Sequence, residues 1–154
     1  MQPHLLGVKV DYDLTAGTLK LSQVPTIDNL LERFGMTECS PAKTPAAEFR
    51  LTKRPITETT KETALEAAKL AAEWGSDWAS LYRVVVGSLI WITVSTRPDI
   101  SFAVIATARF VSDPTAAHFL ALKRIMRYLR GTRTFGLLYK RDITTNCAAY
   151  SDAD

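Results

Sequence analysis

With two cysteines in 154 residues, Cys39 and Cys147, the chain lacks the thiols for a disulfide framework. That scarcity points to a reducing, intracellular compartment, cytoplasmic or nuclear. Long apolar runs are missing as well. The longest uncharged stretch, between Arg83 and Arg97, holds thirteen residues, well short of the roughly 20 that a spanning helix requires. Neither a transmembrane helix nor a membrane partner is therefore expected. The opening MQPHLLGVKVDYD has no basic-then-apolar layout, so no secretory leader is expected either. There is no Gly-rich phosphate loop, no metal-spaced Cys/His set and no Ser/His/Asp arrangement. What remains, at 47% hydrophobic and 23% charged, is the composition of a core-forming globular protein.

The net charge of +3 conceals a segregation. Residues 1–60 are balanced and residues 61–104 carry −1. Residues 105–141 hold eight basic side chains against the single acid Asp113, a balance of +7, and the last thirteen residues carry −3. A concentrated positive field suits a polyanionic partner; the alternative is a solvated helix face.

The periodicity predicts an α+β, helix-rich fold. Leu6, Val8, Val10 and Tyr12 alternate with Gly7, Lys9 and Asp11, and Leu19 and Leu21 resume the alternation after a turn at Leu14–Gly17, so Leu5 to Gln23 reads as a β-hairpin. Pro25 suits the first turn of a helix with Ile27, Leu30, Leu31 and Phe34 as its apolar stripe and Gly35 as a left-handed C-cap. Residues 37–60 read as an irregular, Pro-rich connection, and residues 61–74 as an Ala-rich helix. A helix capped by Ser76 or Asp77 follows, carrying Trp78, Leu81, Val85, Leu89 and Ile92. Thr96 and Asp99 have capping-box spacing for a helix near 98–111 that is apolar almost all round and expected to be buried. Asp113-Pro114 opens a last helix, reaching about Arg130 and stopped at Gly131. Strand-like runs follow at Phe135–Tyr139 and Cys147–Tyr150.

That last helix is the most informative. Phe119, Leu122, Ile125, Met126 and Leu129 form its core stripe, while Lys123, Arg127 and Arg130 lie on one line, with Arg124 beside them and Arg133 just past the cap. Their mutual repulsion is unfavourable unless something anionic lies against the line, and a nucleic-acid backbone supplies phosphates at regular intervals. His118 borders the core stripe and reads as a structural residue rather than a metal ligand. Asp152 and Asp154, two apart on a strand, could face one side as divalent-metal ligands, or be solvated strand ends, as could Asp11 and Asp13.

Eight stretches occur in an order that carries more information than any of them alone: LLGVKVDYD (5–13), LSQ (21–23), IDNLLERFGM (27–36), SPAKTP (40–45), YRVVVGSLIWITVSTRPDISFAV (82–104), HFLALKRIMRYLRGT (118–132), FGLLY (135–139) and YSDAD (150–154). In these the chain resembles the polymerase polyprotein of Ty1/copia-type LTR retrotransposons, from the end of the reverse transcriptase palm to the start of ribonuclease H. The resemblance implies three regions: a primer-grip-like hairpin at 1–23, with Leu6 and Gly7 matching the motif; a helical thumb and connection at 24–132, with a variable insertion near 46–78; and strands at 133–154 leading into a ribonuclease H domain. It places Lys123, Arg124, Arg127 and Arg130 in the family's basic helix motif, and these, with Arg133 from the charge reading above, are expected to bind an RNA–DNA hybrid or duplex through phosphates. It also implies that Asp152 is the first metal-binding carboxylate of ribonuclease H, with Mg²⁺ serving the full-length parent and no cofactor in this chain alone. Neither two-metal site is complete within these 154 residues, so the expectation is a piece of a larger polyprotein, inactive by itself, whose partners are nucleic acid and the rest of that polyprotein. Exposed apolar surface is expected where the palm would sit. The alternatives are a structural or interaction remnant with no nucleic-acid role and, resting on Asp152 and Asp154 alone, a metal-dependent nuclease.

Overall fold

The computed structural model describes residues 4–46 and 78–141. Four antiparallel strands form one sheet in the order β1 (His4–Leu5), β2 (Val8–Asp13), β3 (Thr18–Ser22) and β4 (Gly136–Lys140). The expected hairpin is present as β2 and β3, paired from Lys9 opposite Ser22 to Asp13 opposite Thr18. Its four-residue turn is closed by the Asp13 carboxylate, which accepts from the N–H groups of Thr15 and Ala16 at 2.9 Å each, and by Gly17 at φ +63°. Leu6 and Gly7 do not continue β2. Both have positive φ (51° and 81°), and they form a two-residue turn that folds β1 back along β2, with Leu5 opposite Val8.

The run at 135–139 forms β4, and its partner is β3 of the N-terminal hairpin, Leu21 facing Leu137 and Leu19 facing Tyr139. The first and last described elements therefore share one sheet. The run Cys147–Tyr150 lies outside the described residues, as do the helix expected at 61–74, the cap at Ser76 or Asp77 and all but the end residues of the insertion expected near 46–78.

Among the described residues four helices follow the strand pair: α1 (Val24–Arg33), α2 (Trp78–Ser95), α3 (Ser101–Ala108), entered through a 3₁₀ turn at Pro98–Ile100, and α4 (Ala116–Gly131). Pro25 sits in the first turn of α1. Gly35 at φ +61° ends the helix in a Schellman arrangement, with Met36 N–H donating to Leu31 O and Gly35 N–H to Glu32 O. The core joins all four helices: Ile27 and Leu31 of α1, Val85 and Leu89 of α2, Val104 of α3, and Leu122, Ile125 and Leu129 of α4. Among the residues whose side chains are described, no strand residue belongs to it, so the sheet flanks a helical bundle.

The helix after Pro98 departs from expectation. Ala103, Val104 and Thr107 are buried, but Phe102 is 79% and Ile105 61% exposed. An all-round apolar sequence thus has an apolar face open to solvent, and Ile90, Trp91 and Val94 of α2 are exposed as well. None of the described helices is long and apolar enough to cross a membrane.

Candidate nucleic-acid interface

The described residues carry 14 basic and 7 acidic side chains, so the whole excess of positive charge lies within them. Its densest part is α4. One face of this helix is sealed into the core by Phe119, Leu122, Ile125, Met126 and Leu129, which fixes its rotation and leaves Lys123, Arg124, Arg127 and Arg130 half-buried at the side. His118 begins the helix from within: its Nδ1 accepts the Thr115 N–H at 3.0 Å, and its ring stacks on Phe110 with centroids 3.9 Å apart. It is a capping residue, consistent with a structural role.

The line of cations has a covering. The connector after α1 runs beside α4, and the arginines hold it. Arg127 Nε donates to Ser40 O at 2.7 Å, Arg130 Nε to Thr37 O, and Arg124 Nη2 to the Thr44 hydroxyl at 2.9 Å. Arg130 also reaches the Glu38 carboxylate at 3.4 Å. In return, Ala42 N–H donates to Arg127 O, and Pro41 packs so closely on Gly131 that a Cβ there would lie 2.9 Å from the proline ring. Backbone carbonyls and one carboxylate thus offset part of the repulsion expected along the line. Cys39 lies in this connector. Burial raises its thiol pKa despite the lowering influence of Arg130 and Arg127, so the protonated, unreactive form is favoured. Arg133, beyond the cap, pairs with Asp28 of α1 at 3.2 Å.

The C-terminal end of α4 is set by a residue that pattern reading missed. Arg97 is 1% exposed, the largest fully buried side chain among the described residues. Its Nε and Nη2 donate to the two Asp99 oxygens at 2.9 and 2.7 Å; Nη1 donates to Thr132 O at 2.9 Å and Nη2 to Thr132 Oγ1 at 2.7 Å. The rings of Tyr128 and Phe135 each lie 5.6 Å from the guanidinium carbon. Tyr128 donates its hydroxyl to Asp99 at 2.9 Å. Burial works to raise the Asp99 pKa, but the Arg97 and Tyr128 hydrogen bonds and the Arg97 charge outweigh it, and the carboxyl is held below its ordinary value. Tyr128 is raised, by burial and by the carboxylate it serves, and so stays a donor. This network ties the α2–α3 junction to Thr132, between Arg130 and Arg133.

The local capping box expected at Thr96 and Asp99 does not form: Arg97 takes Asp99, and Thr96 meets Gln23 at 2.8 Å. With its amide turned to satisfy every neighbour, buried Gln23 donates to Ile92 O and Thr96 and accepts from Trp91 Nε1 at 3.1 Å. The usable signal was an arginine following a long apolar helix, two residues before an aspartate.

Leu6 and Gly7 lie away from this network, at the tip of the β1–β2 turn. Leu6 is 76% exposed, and Gly7 O accepts the Thr26 hydroxyl at 3.1 Å, which pins the turn to α1. Asp152 and Asp154 lie outside the described residues. Among the described residues no group of three or more His, Cys, Asp or Glu side chains could hold a metal ion.

No family model matches the chain, and no solved structure matches it. Among curated proteins, it is 39% identical over 152 residues to a retrovirus-related Pol polyprotein from transposon RE1 of Arabidopsis thaliana, a match over 98% of this chain and 9% of that protein. Its homologues include the retrovirus-related Pol polyproteins of copia-type transposons. A second such Pol polyprotein, from transposon TNT 1-94 of Nicotiana tabacum, is 38% identical over 130 residues, covering 84% of this chain and 9% of the relative. An uncharacterized mitochondrial protein of Arabidopsis thaliana is 33% identical over 151 residues, covering 98% of this chain and 55% of its own length. The chain therefore spans 9% of the Pol polyproteins and about half of the mitochondrial relative. Homology to RE1 Pol runs through α4, the connector and the Arg97 network alike.

Proposed function

We propose that this Pol-related segment contributes template-primer binding to a retrotransposon RNA-directed DNA polymerase with ribonuclease H. The phosphate backbone of an RNA–DNA hybrid or duplex would lie along α4. The observation that carries this reading is the row Lys123, Arg124, Arg127 and Arg130 on a helix whose rotation is fixed by its core stripe. The connector supports it further: Nε bonds to Ser40 and Thr37 carbonyls hold the Arg127 and Arg130 side chains in place, so less rotamer freedom is lost when a phosphate is bound. Such contacts are sequence-independent, as a polymerase moving along any template requires. Leu6 and Gly7 would face the primer, and Asp152, with Mg²⁺ in the full-length parent, would serve ribonuclease H. The test is fluorescence anisotropy with a labelled RNA–DNA hybrid at 50 mM salt. Replacing Lys123, Arg127 and Arg130 together by Gln is expected to weaken binding at least about tenfold, while circular dichroism shows the helices retained.

A second reading has its own observation. The same arginines also act as internal clamps on the connector, which is what a structural remnant without a nucleic-acid role would keep. Under that reading the triple variant binds as the parent does, weakly or not at all, and only its stability falls.

A further inference from the structure

We propose that Thr44 is a phosphorylation site whose phosphate is received by Arg124. Thr44 is exposed at a bend in the connector and directly precedes Pro45, the residue that a proline-directed kinase reads, and Pro45 disfavours helical backbone at the threonine. Its hydroxyl donates to Ala46 O and accepts from Arg124 Nη2, each at 2.9 Å. Arg124 Nε, on the same edge of the guanidinium, is buried with no hydrogen-bond partner. An unpaired buried donor is destabilising, and native proteins carry few of them.

The Nε–Nη2 edge is a two-pronged fork that matches two oxygens of one carboxylate or phosphate. Arg97 uses that edge on Asp99. In Arg124 a neutral hydroxyl oxygen meets one prong only. A phosphate on that hydroxyl would supply oxygens to both and bring a charge of about −1.5 to −2 against the most basic of the described helices. Ser40, which also precedes a proline, differs: its carbonyl, not its hydroxyl, meets an arginine.

In the transfer, Thr44 Oγ1 attacks the γ-phosphorus of a nucleoside triphosphate held by a proline-directed protein kinase. The bond from γ-phosphorus to the bridging oxygen breaks, the nucleoside diphosphate leaves, and the hydroxyl proton passes to the kinase's base. This assignment does not depend on the nucleic-acid reading, because its measurements involve no nucleic acid.

The experiment treats the full chain with ATP and a proline-directed kinase, locates the phosphate by mass spectrometry, and titrates it by ³¹P NMR. The expected result is phosphate on Thr44 with its second pKa below the ordinary value of about 6, returning toward that value in Arg124→Gln. Arg124→Lys, which keeps the charge without the fork, is expected to fall between and serves if Arg124→Gln does not fold. Failure of Thr44 to incorporate phosphate, or incorporation at Ser40 alone, would overturn the proposal. So would a phosphothreonine titration unchanged by both Arg124 variants.

Discussion

Asp99→Asn is the sharpest perturbation of the network that sets the end of α4. The side chain keeps its shape and one acceptor oxygen, but Arg97, 1% exposed, loses its counter-charge. Removing one partner of a buried pair costs roughly 3–5 kcal/mol, because the other charge stays buried. Two features reduce that figure here. Asp99 is 37% exposed, so water screens part of the change, and Arg97 keeps both Thr132 oxygens and two ring faces. A loss of about 2 kcal/mol is expected, read as a lower urea midpoint with an unchanged slope by circular dichroism. Adding Arg97→Met to Asp99→Asn should cost less than Arg97→Met alone, the coupling being roughly 1–3 kcal/mol. An Asp99→Asn midpoint equivalent to within about 0.5 kcal/mol of the parent would refute the reasoning, since that is the range of surface substitutions.

The same carboxylate gives a pH signature. Its folded pKa lies below the ordinary 3.8, so its contribution is complete above that value and is lost as pH falls through the depressed one; stability below about pH 4 should fall more steeply in the parent than in Asp99→Asn. Gly136→Ala would set a Cβ 2.0 Å from Leu21 O, and a loss of about 1–3 kcal/mol in urea denaturation is expected as β4 is forced from β3. Leu6→Gly should raise stability. Left-handed backbone costs a leucine roughly 1–2 kcal/mol, glycine's extra unfolded freedom offsets roughly 0.5–1, and a net gain of about 0.5–1 is expected in the same assay.

Much of the fold was legible because it is written in local pattern. Pro25 and Gly35 bracket α1, alternation marks β2 and β3, and the apolar stripe of α4 sets which side faces the core. What was not legible depends on partners distant in the chain. β4 pairs with β3 more than a hundred residues earlier, and alternation does not specify a partner. Thr96 and Asp99 have capping-box spacing, yet stronger tertiary partners, Gln23 and Arg97, take them. The apolar sequence of α3 implied burial on every side, but the fold buries one face and leaves Phe102 and Ile105 in water. For the candidate site, sequence placed Lys123, Arg127 and Arg130 on one line. It did not show that Thr37, Ser40 and Thr44 lie against the arginines, because connector residues without a period carry no register.

The most direct measurement of nucleic-acid binding by α4 is its salt dependence. Affinity for an RNA–DNA hybrid, measured from 50 to 200 mM salt, is predicted to fall with a log–log slope of roughly −3.6 for four phosphate contacts, at about 0.9 per contact. A slope near zero, or no binding at 50 mM salt, would contradict it.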